Sequence, residues 1–458
     1  MNSMNKPTLN IEGKHVTIVG LGRTAAALAK LLLVKGAKPF VTESRDEGDL
    51  GTLPEIVRAQ GIPCECGGHT SAAFEKADIV APSPGVPPTI PPIVQAIRDG
   101  AEIMGEMEIA SHYIEGPMIA VTGTNGKTTT TALLHALIER CGHRCVLAGN
   151  NDLPLSEAAL VVPAPDYTVV EVSSYQLETC KTFHPWIAAV LNVSNDHLAR
   201  HGTMEHYADV KARIFENQVE SDIAVLNMED DRCAAMQNRI EARAIPFSLQ
   251  TSLVDGMGID GDHILWNGEP VATLADISLP GLHNRENVLA ALSIMRAGEF
   301  DWPSVIDGLR SFRGVEHRIE YVATIGGVKF YNDSKSTNLE SLRVALESFD
   351  SPVILLAGGR GKGSDYTTLV PHFLTKVKYL VAFGEDAANI EAAYASTTST
   401  LCVATLSEAA EAATHHAQSG DTILLSPACA SFDQYPNFEE RGHAFKAWVT
   451  QQAEAIST

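Results

Sequence analysis

Short apolar runs alternate along most of the chain with longer segments of helical periodicity. Runs rich in Val, Ile and Ala are typical of strands buried on both faces of a parallel sheet. They occupy residues 15–20, 38–41, 78–81, 119–121, 167–171, 187–191, 319–323 and 328–331, and recur within 353–362 and 422–431. Apolar positions three and four apart predict helices at residues 26–33, 127–137, 204–215 and 281–297. This repeated strand–loop–helix order predicts an α/β fold with mostly parallel sheets.

The strand–helix pattern restarts twice, near residues 105–116 and at residue 314. A chain of 458 residues is also too long for one core. We therefore predict three domains: an N-terminal Rossmann-like domain (1–105), a central P-loop-type domain with a mostly parallel sheet (106–314), and a C-terminal Rossmann-like domain (315–458).

A glycine-rich turn follows the apolar run at 119–121 and precedes the helix predicted at 127–137. Its sequence is Gly-Thr-Asn-Gly-Lys-Thr at residues 123–128. Glycines let backbone N–H groups turn inward, and the helix N-terminus adds partial positive charge, so the turn predicts a phosphate site. We expect Lys127 to reach the β- and γ-phosphates and the hydroxyl of Thr128 or Thr129 to face Mg²⁺. The chain is thus expected to bind a nucleoside triphosphate.

The first predicted strand runs into a second phosphate-type turn, Gly-Leu-Gly-Arg-Thr-Ala at residues 20–25. The next strand ends in Thr-Glu-Ser at 42–44, which places Glu43 near a ribose, and the strand at 78–81 runs into a loop containing Ser83. This turn alone fits a nucleotide ligand and a plain strand–helix packing turn about equally. The first domain is expected to hold a nucleotide diphosphate.

Polar residues collect where the central strands end. Glu171 lies at the end of one strand, where a P-loop sheet places a metal-facing acid, and the polar stretch 192–197 ends in His197 after the next strand. Lys211, on the helix predicted at 204–215, would by its sequence context alone be a surface lysine.

Composition narrows the possible partners and the compartment. The net charge of −22 argues against nucleic acids and anionic membranes. No run of 18 apolar residues occurs, and the N-terminus lacks a signal-peptide core. The eight cysteines show no metal-ligand spacing, and even Cys64 and Cys66 are expected to be buried free thiols. We expect a monomeric, cytoplasmic protein that does not insert into membranes.

Taken together, these motifs resemble the Mur ligases, which add amino acids to the bacterial cell-wall precursor. The resemblance spans nearly the whole chain: residues 123–128, Glu-Val-Ser-Ser-Tyr-Gln-Leu-Glu at 171–178, 192–197, His-Asn-x-x-Asn at 283–287, Glu-His-Arg at 316–318 and Asn-Asp-Ser-Lys at 332–335. The turn at 20–24 and the long motif at 426–442 are most similar to the D-glutamate-adding branch. Asn151 and Asp152 depart from the usual Ile-Gly of the family, and Ala25 replaces a third glycine.

The resemblance implies a role for each candidate residue. It assigns the uridine-diphosphate substrate to Gly22, Arg23, Thr24, Glu43, Ser44, Arg45 and Ser83, with Asn150, Ser173 and Thr337 as further substrate contacts. It assigns ATP to Gly123, Thr124, Asn125, Gly126, Lys127, Thr128, Thr129, Asn284, Asn287, Arg318, Asp333 and Lys335. It assigns two Mg²⁺ ions to Thr128, Glu171, His197 and a carbamylated Lys211. It assigns D-glutamate to Lys362, Ser431, Phe432 and Phe438. The implied catalytic residues are Lys127, Glu171, His197 and Lys211.

The implied reaction is ATP-dependent ligation of D-glutamate to UDP-N-acetylmuramoyl-L-alanine through an acyl phosphate. We also expect the third domain to close when ligands bind, because groups assigned to one reaction lie on three predicted domains. Two alternatives stay open: a related ligase for another amino acid, including a folyl-polyglutamate synthetase, and a non-catalytic nucleotide sensor. The motif at 426–442 speaks against the first, and the joint presence of Glu171, His197, Lys211, Asp333 and Lys335 against the second.

Overall fold

A computed structural model describes residues 9–150, 153–194, 198–250, 253–279, 281–349, 351–361 and 363–457. The chain divides into two compact units. The first comprises Met1–Asp276 and Glu286–Arg310, and the second comprises Ile277–Arg285 and Ser311–Thr458. The first unit contains two sheets and the second contains one, counted over the described ranges.

The N-terminal sheet of the first unit is parallel, with strand order β3-β2-β1-β4-β5. Its strands are β1 His15–Val19, β2 Lys38–Thr42, β3 Cys64–Glu65, β4 Ile79–Pro82 and β5 Glu102–Ile103. Its helices are α1 Arg23–Val34, α2 Leu53–Ala59, α3 Pro91–Arg98 and α4 Glu106–Ser111. The strand order reverses between β1 and β4, so the carboxyl ends of these two strands open the crevice in which such sheets bind ligands.

The central sheet has the order β14-β13-β12-β11-β10-β9-β6-β8-β7 and is parallel except for the pairings of β13. Its strands are β6 Met118–Thr122, β7 Cys145–Gly149, β8 Tyr167–Glu171, β9 Ile187–Val190, β10 Ile223–Asn227, β11 Arg243–Phe247, β12 Met257–Asp260, β13 His263–Trp266 and β14 Glu269–Thr273. The helices that follow in the chain are α5 Lys127–Arg140, α6 Leu155–Ala158, α7 Ser174–Leu177, α8 Leu198–His201, α9 Met204–Ala212, α10 Asp231–Met236, α11 Leu282–Ala297 and α12 Trp302–Ser311.

The second unit has one sheet, ordered β15-β16-β20-β17-β18-β19 and parallel apart from the β15–β16 pair. Its strands are β15 Glu320–Ile325, β16 Val328–Asn332, β17 Val353–Gly358, β18 Val377–Phe383, β19 Thr400–Val403 and β20 Thr422–Ala428. Its helices are α13 Leu339–Glu347, α14 Val370–Lys376, α15 Ala387–Tyr394, α16 Leu406–His416 and α17 Phe438–Ser457.

Apolar side chains on both faces of the strands form the cores, as the predicted α/β class requires. On β6, for example, Met118, Ile119, Ala120 and Val121 are at most 2% exposed. Helices therefore cover both faces of the sheet, and each such run is stabilised by burial of about 1.5–3 kcal/mol for every large apolar side chain. None of the helices in the described ranges is long and apolar enough to cross a bilayer.

Among the predicted elements that differ in their bounds, two have a local structural cause. The helix predicted at 204–215 is α-helical only to Ala212 and ends in a 3₁₀ turn, Arg213–Phe215. The strand predicted at 319–323 begins one residue later, because Ile319 has a φ of 44° and its N–H donates to Asp333 rather than to a neighbouring strand.

Candidate active site

The turn after β6 is shaped to receive phosphate. Gly123 and Gly126 have φ values of 158° and 85°, and Gly126 lies directly before α5. The first N–H groups of a helix have no carbonyl partner within the helix, so the 14-residue α5 presents donors and its positive dipole end here. Asn192, after the neighbouring β9, fixes the turn by accepting from the N–H of Asn125 at 2.8 Å.

Two lysine ammonium groups meet at this turn. Nζ of Lys127 donates to the carbonyl oxygens of Gly123 and Thr124, each at 2.9 Å. Nζ of Lys211 donates to the same Gly123 oxygen at 2.8 Å and lies 4.6 Å from the ring centre of Tyr207. Lys211 is only 1% exposed, so the expectation of a surface lysine is wrong. Two cations on one carbonyl favour a polyanion beside the turn.

Glu171 offers an unused carboxylate oxygen at the end of β8. Its side chain is 3% exposed; Oε1 accepts from Asn150 at 3.2 Å, while Oε2 is buried and has no hydrogen-bond partner among the described residues. Because β8 pairs with β6, Glu171 ends its strand beside the phosphate turn. A buried carboxylate oxygen without a donor fits a Mg²⁺ ligand, with the half-buried Thr128 as the turn's hydroxyl. His197, a further proposed ligand, lies outside the described residues.

The amide of Asn287 packs directly on the phosphate turn. A Cβ on Gly126 would lie 2.1 Å from its Oδ1. Asn287 is buried, and Asn284 lies one turn earlier on α11 and is also buried. This places one of the two amides assigned to adenine at the turn, while Asn284 belongs to the second compact unit.

The N-terminal turn is held by one acidic side chain. Glu43, 4% exposed, accepts from the N–H of Leu21 at 2.7 Å and from Nη2 of Arg45 at 2.8 Å. Burial alone would raise the pKa of Glu43, but the hydrogen bonds from Arg45 and Leu21 lower it to about 2. Ser83 donates to the carbonyl of Gly20 at 3.0 Å. These residues gather where β1, β2 and β4 end, and Gly22, Arg23, Thr24 and Ser44 lie there with accessible side chains or backbone.

In the second unit, the loops after β16, β17 and β20 are neighbours because these strands are adjacent. Asp333, buried, accepts from Ser426 at 2.7 Å and from the N–H of Ile319 at 3.2 Å. Burial raises its pKa to about 7, although Ser426 and Arg318 oppose the rise. Nζ of Lys335 lies 5.5 Å from the ring centre of Phe438. Ser431 is buried, Thr337 is half-buried and Phe432 is 63% exposed; Lys362 lies outside the described residues.

Arg441 joins these loops. In the sequence it was only one position of the motif at 426–442 and was given no role of its own. Its guanidinium, 1% exposed, donates to Oγ and the carbonyl of Ser334 and to the carbonyl of Cys429, at 2.8–3.0 Å. Burial lowers its pKa to about 10. It thereby ties the loop of Asp333 and Lys335 to the loop of Ser431. The sequence could have pointed to this role, because Arg441 lies within a motif of polar loop residues.

Comparison with known proteins identifies the family. Residues 14–105 match the Mur ligase MurD-like N-terminal domain, 121–295 the Mur ligase middle domain, and 317–429 the Mur ligase glutamate ligase domain. The UDP-N-acetylmuramoylalanine–D-glutamate ligase of Koribacter versatilis is 40% identical over 97% of this chain and 99% of its own length. The ligase of the same name from Pelotomaculum thermopropionicum is 41% identical, covering 95% and 97%. The chain belongs to the Mur ligase family.

Solved Mur ligase structures share the fold. The UDP-N-acetylmuramate–alanine ligase of Thermotoga maritima covers 95% of this chain and 99% of its own length with a TM-score of 0.60 at 18% identity. MurF of Thermotoga maritima, solved in complex with ADP, covers 97% and 96% with a TM-score of 0.56 at 16% identity. The predicted fold class, three α/β domains with mostly parallel sheets, is confirmed. The prediction that the chain is a ligase is also confirmed. The boundaries at 105 and 314 stay predictions.

Proposed function

We propose that this Mur ligase joins D-glutamate to UDP-N-acetylmuramoyl-L-alanine, with ATP converted to ADP and phosphate. The observation that carries the proposal is the convergence of Lys127 and Lys211 on the carbonyl of Gly123, with the open Oε2 of Glu171 on the adjacent strand. Phosphoryl transfer needs a phosphate cradle with its lysine and an acid that can hold a metal ion. The near full-length likeness to ligases named for D-glutamate supports the choice of amino acid.

The chain's own residues divide the reaction between them. Lys127 and the N–H groups of α5 hold the triphosphate, so that a carboxylate oxygen of the alanyl group attacks the γ-phosphorus and ADP leaves. The resulting acyl phosphate is attacked at its carbonyl carbon by the D-glutamate amine. The amine loses a proton, the C–O bond breaks, and inorganic phosphate leaves. Activation is required because a free carboxylate has no adequate leaving group.

Substrate contacts follow the same assignment. The uridine diphosphate would lie on the turn that Glu43 and Ser83 hold, and Asn150 and Ser173 would contact the substrate beyond it. D-glutamate would lie on Lys362, Ser431, Phe432 and Phe438, where a lysine can pair with its carboxylates, and Thr337 would be a further substrate contact. When bound, Mg²⁺ at Thr128, Glu171, His197 and Lys211 would neutralise the repulsion between triphosphate and carboxylate.

The cellular setting is part of the proposal. All eight cysteines are free, as expected in a reducing compartment, with Cys64 and Cys66 half-buried rather than fully buried. We place the reaction in the cytoplasm, in peptidoglycan precursor synthesis that serves cell shape and division.

Release of phosphate from ATP tests the proposal directly. With Mg²⁺ present, release should require both UDP-N-acetylmuramoyl-L-alanine and D-glutamate, and mass spectrometry should find the amide product. The comparison pairs are L-alanine with UDP-N-acetylmuramate, L-glutamate with a folate, and 2,6-diaminopimelate with UDP-N-acetylmuramoyl-L-alanyl-D-glutamate. A preference for one of them would assign another ligase, and nucleotide binding without any phosphate release would favour a sensor.

Lys211 is further proposed to act as a carbamate. Its neutral amine would attack the carbon of CO₂, form an N–C bond and lose one proton, giving an anionic oxygen ligand for a second Mg²⁺. Its Nζ shares the carbonyl oxygen of Gly123 with Nζ of Lys127, so a carbamate on Lys211 would place its negative charge beside the Lys127 ammonium. Lys211→Ala should lose on the order of 10²–10³ in rate, and formate or acetate should restore part of it. Undiminished activity, or no rescue by any small carboxylate, would contradict the carbamate.

A further inference from the structure

A polar junction lies inside the first compact unit, where the loop after β4 meets α7 and α8. A cavity there is lined by Ser83, Pro84 and Val86 on one side and by Tyr175, Gln176 and Arg200 on the other. The first group borders the N-terminal turn and the second borders the central sheet. The junction therefore lies between the proposed uridine-diphosphate site and the proposed chemical site.

Arg200 is the cation of this junction. Its Nη2 and Nε donate to the Glu178 carboxylate at 2.6 and 3.1 Å, and both side chains are mostly buried, at 17% and 14% exposed. The guanidinium also lies 5.3 Å from the ring centre of Tyr175, and Nη2 reaches the carbonyl oxygen of Val86 at 3.4 Å. A two-point carboxylate pair with a stacked ring fixes a guanidinium more rigidly than one surface ion pair would.

The loop that Arg200 reaches is in direct contact with the N-terminal turn. Ser83 donates to the carbonyl of Gly20, and a Cβ on Gly20 would lie 2.9 Å from Cγ2 of Val86. A shift of loop 83–86 is therefore transmitted to the residues proposed to bind the diphosphate.

On its other side, Arg200 is connected to residues next to the proposed chemical site. Arg200 lies on α8, which begins at Leu198, directly after the segment that contains His197. Glu178 also lies 3.6 Å from Nδ1 of His201, and Nε2 of His201 lies 3.0 Å from Oγ of Ser174, next to the substrate residue Ser173.

We infer that Arg200 is a positioning residue that clamps loop 83–86 to α7 and α8, and so fixes the uridine-diphosphate site relative to the carboxylate that is activated. This inference rests on the proposed function. The clamp consists of Arg200, Glu178 and the carbonyl of Val86. It contributes to substrate affinity rather than to the chemical step, because the contacts of Arg200 are with the Glu178 carboxylate, the Tyr175 ring and the carbonyl of Val86.

Steady-state kinetics of the full chain test the clamp. Arg200→Ala should raise KM for UDP-N-acetylmuramoyl-L-alanine on the order of 10- to 100-fold, the scale on which misplacement away from the reacting atoms acts, with kcat changed less than about threefold. Arg200→Lys should restore part of the affinity, since an ammonium can pair with Glu178 but cannot reproduce the fork. Arg144→Ala removes a pair in which Nε and Nη2 both donate to the exposed Asp166 carboxylate, and it is the matched control with unchanged KM.

Glu178→Gln separates clamping from direct binding of substrate by Arg200. Clamping predicts a higher KM, and no further loss in the double variant with Arg200→Ala. Direct binding predicts a lower KM, because the guanidinium would be freed for the diphosphate. The inference is overturned by a lower KM in Glu178→Gln, by an unchanged KM in Arg200→Ala, or by an Arg200→Ala variant that loses only kcat. If Arg200→Ala does not fold, Arg200→Lys and Glu178→Gln decide.

Titration of UDP keeps this test distinct from the test of the proposed function. UDP affinity should fall in Arg200→Ala and Glu178→Gln while ADP affinity stays at the wild-type value. A wild-type protein that releases no phosphate with both substrates would defeat the proposed function, whereas an active wild type with unaltered UDP binding in the variants would defeat only the clamp.

Discussion

A left-handed glycine is decisive at the phosphate turn. Gly126 has a φ of 85°, and an added Cβ would lie 2.1 Å from Oδ1 of Asn287 and 3.1 Å from Cδ1 of Leu191. Gly126→Ala therefore combines backbone strain with displacement of Asn287. We expect ATP affinity, measured by titration calorimetry, to fall by about 100-fold, which corresponds to about 2.7 kcal/mol.

Gly142→Ala is the control for the strain alone. Gly142 has nearly the same φ, 86°, but nothing lies within 4 Å of its added Cβ. It should lower the free energy of unfolding by about 1–2 kcal/mol and leave ATP binding intact. Equal ATP affinity in the two variants would show that contact with Asn287 does not shape the turn.

At the scale of single residues, the sequence predicted which residues lie at the candidate site better than it predicted how buried each side chain is. Lys127, Glu171 and Asp333 lie at strand ends or in a glycine turn, and local patterns suffice to place such residues. Lys211 was expected at the surface because a helix with weak periodicity does not reveal which neighbours cover it. Arg200 and Arg441 had no separate signal, since their partners are carbonyls and carboxylates distant in sequence.

Among the elements, α4 connects the two sheets of the first unit through one carboxylate. Glu108 on α4 is 1% exposed and accepts from the N–H groups of Lys181, Thr182 and Phe183 and from Oγ1 of Thr182. This holds the segment between α7 and β9 against the helix. Burial alone would raise the pKa of Glu108, but hydrogen bonds from His112, Thr182 and the backbone lower it to about 2.

The pH dependence of stability follows from the sign of this shift. A carboxyl group with a folded pKa near 2 and an unfolded pKa near 4.3 stabilises the protein above the unfolded value, and the contribution disappears as pH falls from about 4 to about 2. Glu108→Gln loses an acceptor and places an NH₂ donor among N–H donors. We expect a loss of about 3 kcal/mol at pH 7 in denaturant titrations, and a weaker loss of stability with acid.

Glu115→Gln provides the control for the Glu108 variant. Glu115 follows the same helix but is exposed. Its stability curve should match that of the wild type at every pH. A Glu108→Gln protein with that same curve would show that the carboxylate does not hold the segment.

The strands themselves were predicted more closely than their assembly. The strand at 167–171 has the predicted bounds, and β1, β2, β4, β6 and β16 begin or end within one residue of them. Strand order is different, because it depends on pairing between distant residues. The antiparallel β12–β13–β14 extension had no counterpart in the prediction, and adjacency of β16, β20 and β17 is what brings Asp333 near Ser431.

For the whole molecule, the hydrophobic pattern shows where a new strand–helix series begins, but it does not show which residues pack into the same compact unit. Residues 277–285 belong to the second unit although α11 continues from there into the first. A helix that runs on without a break gives no compositional sign of such a change. The restart at 314 was visible because glycine and polar residues interrupt the apolar pattern there.

Net charge yields a prediction for the molecule in solution. A charge of −22 on a chain of 49.1 kDa should repel like copies and polyanions. We expect sedimentation equilibrium to give 49.1 kDa, unchanged between low salt and 0.15 M salt, where the Debye length shortens to about 8 Å. DNA and anionic vesicles should not co-sediment at either salt concentration. A mass near twice this value that rises with protein concentration would contradict the monomer, and one that appears only on adding salt would show that charge repulsion alone keeps the copies apart.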